Sequence, residues 1–81
     1  MSDALISLFS EVLDVPAESL NDNTAPGNTP QWDSLAAMRL VAAIEETFAV
    51  RLSSREIMKM SSIGFARRTL LDKNVKLDDA G

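Results

Sequence analysis

The sequence predicts an all-α fold, a small four-helix bundle of three longer helices and one short third helix, with a long loop between helices 1 and 2. Three observations predict it. Apolar residues recur at helical spacing in two long stretches, residues 5–13 and 34–48. Capping signals stand ahead of two further stretches after residue 50. Between the first two stretches lies a run rich in Pro, Asn, Asp, Thr and Gly, residues that punctuate rather than propagate helices. A single domain over residues 1–81 is expected, with an ordered core of about 3–74 and a frayed tail of 75–81.

Ser2 or Asp3 can cap the first helix. Leu5, Leu8, Phe9, Val12 and Leu13 then fall at i, i+3, i+4, i+7 and i+8, an amphipathic match over three turns whose apolar face belongs to the core. Pro16 disfavours helical geometry at Val15, so this helix should end near Asp14. From Pro16 to Gln31 the chain is a loop, with one short helical turn expected at Ala17–Leu20. A loop of this length needs apolar pins to offset its ordering entropy, and Val15, Leu20 and Trp32 are the candidates. The acids and amides around Asp22 lack the alternating carboxylates and closing glutamate of a calcium loop, which removes that reading.

The second long helix starts near Ser34. Ala37, Val41, Ile44 and Phe48 make one stripe for the core, while Leu35, Met38 and Ala42 line up on a neighbouring face. That is more apolar circumference than one core requires, so the helix is either central to a bundle or keeps a strip for a partner. Ala49–Leu52 is a connector with Val50 or Leu52 turned inward. Ser53 and Glu56 stand at capping-box spacing and predict a short helix from Ser54 to about Met60, with apolar contacts from Ile57, Met58 and Met60. Ser61 or Ser62 caps the last helix, in which Ile63, Ala66 and Leu70 are the buried stripe with Phe65 and Thr69 beside it; Arg67, Arg68 and Lys73 form its solvated face.

Composition excludes several functions. The chain has no Cys and no His, so disulfide bracing, Ser-His and Cys-His catalysis and the common zinc sites are all ruled out, and a small hydrolase is disfavoured. Net charge is −4, unevenly spread: residues 1–50 hold eight acids and one base, residues 51–81 four acids and seven bases. The first part should repel nucleic acid and favour basic partners. No apolar stretch is long enough to insert into a membrane, and the residues after Met1-Ser2-Asp3 do not resemble a signal peptide. A cytoplasmic monomer is the expectation.

Ser34 stands at the start of a helix, where unpaired N–H groups and the positive end of the macrodipole favour a nearby anion by roughly 0.3–1 kcal/mol. Position alone leaves two readings open: Asp33 or Ser34 serves merely as the N-cap, or the hydroxyl carries a phosphate-linked group. The run Asp33-Ser34-Leu35, followed by Leu40-Val41, Ile44-Glu45-Glu46 and Phe48, resembles acyl carrier proteins and the related peptidyl carrier domains. The resemblance covers most of the chain, including Ser62-Ile63 where that family often has Thr-Val opening the last helix.

The resemblance implies that Ser34 is the attachment point of 4′-phosphopantetheine, transferred from coenzyme A by a phosphopantetheinyl transferase. The protein would then be a carrier and not an enzyme, presenting an acyl or aminoacyl thioester to loading and processing enzymes. Docking of those enzymes falls to an apolar strip of Leu35, Met38 and Ala42, framed by Asp33, Glu45 and Glu46, with Ile57 extending it. Two departures from the family pattern stand out: Arg39 occupies a position where many fatty-acid carriers have an acid, and Gln31-Trp32 replaces a Gly-containing dipeptide before Asp-Ser-Leu. Both point to a specialised polyketide, nonribosomal peptide or related acyl pathway rather than housekeeping fatty-acid synthesis. The alternative is a noncovalent helical adaptor in which Ser34 is only a cap.

Overall fold

The computed structural model describes residues 3–77. They form α1 (Ala4–Leu13), α2 (Ser34–Phe48), α3 (Ser54–Met58) and α4 (Ile63–Asp72), with single 3-10 turns at Ala17–Ser19 and Pro26–Asn28 in the long loop. Ser2, the alternative cap, and the expected fraying of 78–81 lie outside the described residues.

Each helix begins where a short polar side chain satisfies its first N–H groups. Asp3 accepts from Leu5 N at 3.0 Å and Ile6 N at 3.3 Å, Asp33 from Ala36 N at 2.9 Å, and Ser62 from Phe65 N at 3.1 Å. At α3 the capping box closes in both directions, Glu56 N donating to Ser53 Oγ and Ser53 N to Glu56 Oε1. The end of α1 is equally local. Asp14 turns left-handed, Ser10 Oγ donates to the carbonyl of Val15 at 2.6 Å, and Pro16 follows.

The core lies where α1, α2 and α4 meet. Leu5, Phe9, Leu40, Ile44, Ile63 and Leu70 are its fully buried large side chains. Trp32 is 4 % exposed and tilts against Phe9 with ring centroids 5.2 Å apart, so the loop is pinned by an aromatic pair. Val15 and Leu20 pack at the margin of the same cluster. Among the described residues no buried side-chain nitrogen or oxygen lacks a hydrogen-bond partner.

The long loop is ordered by side-chain amides as well as by apolar pins. Asn28 accepts from Ala25 N and Thr29 Oγ1 and donates to the carbonyl of Asn23. The loop then docks on the start of α4: Ile63 N donates to Thr24 O and Gly64 N to Asp22 O, both at 3.0 Å. A Cβ at position 64 would sit 3.0 Å from that Asp22 carbonyl oxygen, so a glycine is what permits the approach.

Four expectations are corrected. On α2 the deeply buried stripe is Ala36, Leu40 and Ile44, whereas Ala37, Val41 and Phe48 are half-buried. At about 100° per residue the expected and observed stripes are neighbours that share Ile44, and Ala37 and Val41 line the groove toward α3. On α3 the helix ends at Met58, and Met58 is 85 % exposed rather than packed. Arg67 is not a solvated residue: its guanidinium lies 2.7 Å from Asp3 and 3.0 Å from Asp22, and Lys73 reaches Glu56 at 3.1 Å. Burial works against the Arg67 charge, yet the Asp3 and Asp22 carboxylates outweigh it and raise its pKa above the ordinary value. Finally, the chain does not fray at 75: Leu77 is buried, and its carbonyl accepts from Ala4 N at 2.8 Å, satisfying a free donor at the start of α1.

Candidate functional site

The site is the start of α2 and the outer face that follows it. Asp33 is exposed, sits in extended geometry, and spends a carboxylate oxygen on Ala36 N. Ser34 is the first residue of the helix and is also exposed. Of the two residues offered as the cap, it is Asp33 that caps, and the Ser34 hydroxyl takes no part in it. The N–H groups of Ser34 and Leu35 have no acceptor within the helix, so the first turn presents donors beside an accessible hydroxyl.

The expected docking residues are placed as follows. Leu35 is 59 % exposed, Met38 71 % exposed, and Ala42 is exposed, which makes one apolar strip along the outside of α2. Arg39 and Glu46 are exposed as well, at i and i+7 on one edge of that strip. Glu45 differs from them. It is half-buried, and its carboxylate accepts from Leu52 N at 2.9 Å, tying the connector back to α2. Ile57 is partly exposed and joins Met38 across a groove of about 270 Å³ between α2 and α3, completed by Trp32, Ala37, Val41 and Met60. No charged side chain lines it.

Sequence reasoning missed two features of this region. The groove depends on Ala37 and Val41 facing α3, which the displaced core stripe concealed. The second is the pair of exposed cations Arg55, on α3, and Lys59, its C-cap; their i, i+4 spacing was the available signal. No cluster of acids with metal-binding geometry is present among the described residues, and no helix there is long and apolar enough to cross a membrane.

The sequence model of the phosphopantetheine attachment site family matches residues 3–64, a span that includes α1, the loop, α2 and α3. The chain belongs to that family. No curated protein sequence matches it significantly. Among solved structures, the solution structure of a holo acyl carrier protein from Nitrosomonas europaea is similar, with a TM-score of 0.76 and 24 % identity over 88 % of this chain and 92 % of that one. The fold is thus the all-helical acyl carrier fold. Carriers of this family are generally non-catalytic.

The family's group is covalently attached 4′-phosphopantetheine, and the residues present fit it. A phosphodiester needs a free hydroxyl and tolerates a site only where new negative charge is welcome; the start of α2 offers an exposed serine, free backbone donors and the positive end of a 15-residue helix. When bound, the group supplies the thiol that this cysteine-free chain lacks. Ser34, at the start of α2, is the residue that would hold it.

Proposed function

We propose that this phosphopantetheine-family protein is a carrier, in which Ser34 bears the arm and an acyl or aminoacyl group rides on its thiol as a thioester. One observation supports the reading: Asp33, not Ser34, caps α2, and among the described residues the exposed Ser34 hydroxyl is given no capping task. The adaptor alternative, in which Ser34 is only a cap, loses its premise.

In this reading a phosphopantetheinyl transferase loads the arm, and acylating and processing enzymes dock on the strip of Leu35, Met38 and Ala42, with Ile57 at its side and Asp33, Arg39, Glu45 and Glu46 around it. Tethering makes each transfer intramolecular within the docked complex, which raises the local substrate concentration. Small apolar strips edged with charge suit contacts that must be selective and brief. The pathway is a specialised one, polyketide, nonribosomal peptide or related. Support for this comes from the exposed Arg39 on the helix that in the resembled fatty-acid carriers often has an acid, and from Trp32, which fills the core immediately before the motif. The protein works as a cytoplasmic monomer.

The test is incubation with coenzyme A and a broad-range phosphopantetheinyl transferase, read by intact mass. A gain of one phosphopantetheine that disappears in Ser34→Ala is expected. An unchanged mass under conditions that modify a control carrier would overturn the reading.

A further inference from the structure

The outward stripe of α3 has a charge unlike that of the chain around it. Arg55, Met58 and Lys59 fall at i, i+3 and i+4, share one face, and are all exposed. Ile57 and Met60 take the opposite side, toward the groove. Arg51, just before the helix, is exposed too. The one acid between residues 49 and 60 is Glu56, and it is already committed. Its carboxylate accepts from Ser53 N at 2.8 Å and pairs with Lys73 at 3.1 Å. Among the described residues, Arg51, Arg55 and Lys59 form no ion pair.

Met58 at 85 % exposure contributes little to the fold. An unbranched thioether between two cations is instead an adaptable apolar contact with steering charge on both sides. We propose that this stripe docks a partner protein whose contact surface presents carboxylates around an apolar socket. The inference rests on the carrier reading and adds the sign of the partner's charge. Polyanions of high charge density fit worse, because the chain as a whole carries −4 and its first fifty residues hold eight acids against one base. A lipid surface also fits worse, since a five-residue helix with one outward methionine offers too little apolar area to hold an interface. A protein patch carrying a few carboxylates matches three exposed cations locally, and exposed charges farther off than about 8 Å are screened at physiological salt.

The experiment titrates the isotope-labelled full chain, loaded with phosphopantetheine, with two synthetic amphipathic helical peptides of equal length, one Leu/Glu and one Leu/Lys, and with phosphatidylglycerol vesicles. The Leu/Glu peptide should shift the amide resonances of residues 55–59. Its affinity should fall about tenfold in the Arg55→Glu/Lys59→Glu variant and again at high salt in the unaltered chain. If that variant fails to fold by circular dichroism, Arg55→Gln/Lys59→Gln serves in its place. Equal binding of both peptides, salt independence, shifts confined to other surfaces, or tighter binding to the vesicles would each overturn the proposal. The modification assay keeps the two readings distinct. A chain that takes the arm on Ser34 but ignores the Leu/Glu peptide refutes the stripe and leaves the carrier standing. A chain that takes no arm refutes the carrier, and the same titration on the unmodified protein still judges the stripe.

Discussion

Leu40 and Leu35 stand five residues apart on α2 and have opposite fates. Leu40 is fully buried in the core, whereas Leu35 is 59 % exposed on the outer strip beside Ser34. Both are leucines on one helix, so propensity and side-chain chemistry are the same, and only the helical phase differs. So α2 keeps its core contacts and its exposed apolar strip on separate faces. In a chain this short, where net stability is a small difference between large terms, that separation lets the outer face change without unfolding the bundle.

The sharpest way to break the comparison is on its inner side. Leu40→Ala removes a fully buried side chain and should cost about 2–5 kcal/mol, a large fraction of the whole for a small domain, read as a lower urea midpoint. A loss well under 1 kcal/mol would mean that α2 does not seat on this stripe. Next in size is the cap. Asp33→Ala removes the acceptor of Ala36 N and should cost about 1 kcal/mol, while Ser34→Ala, one residue on, should leave the midpoint unchanged. Equal losses at the two positions would return Ser34 to a capping role.

A smaller effect is expected across the groove at α3. The Glu56 carboxyl lies below its ordinary value, first because it accepts from the backbone of Ser53 and then because Lys73 stands beside it. A carboxylate with a lowered folded pKa stabilises above its unfolded value and loses that contribution as pH falls through the ordinary carboxylate range toward the folded one. Denaturation midpoints measured across that range should therefore decline on acidification, and Glu56→Gln should flatten the decline. An identical decline in the variant would assign the acid sensitivity to other carboxylates.

Much of this was legible from residue types alone. Cap residues announced α1, α3 and α4, because Asp3, Ser53 and Ser62 each do with a side chain what the sequence pattern implies. The start of α2 was legible too, with Asp33 as one of the two residues offered for its cap. The phase of α2 was not. Ala36, Ala37, Leu40, Val41 and Ile44 are all apolar, so the pattern admits two stripes, and only tertiary packing selects the one with Leu40. Long-range electrostatics was equally hidden: nothing in the sequence shows that Arg67 will meet Asp22, 45 positions away, or that Leu77 will return to α1. The exposed Met58 was misread because a methionine on a helix ordinarily fills a core.

The smallest effect on stability is the most informative about function. Leu35→Ala deletes a side chain that is mostly in water, so its cost should fall within about 0.5 kcal/mol, against several for the leucine five residues on. If the outer strip is where enzymes dock, the same substitution should slow arm transfer by the phosphopantetheinyl transferase through a raised KM while the thermal midpoint stays put. Arg39→Glu offers the complementary change, altering charge at the strip's edge without touching its apolar surface; its effect on association should shrink as salt is raised, because exposed charges are screened. A Leu35→Ala protein that is as well modified as the parent and markedly less stable would reverse the assignment of the two faces, since it would place the work of the outer leucine in the fold and leave recognition to another surface.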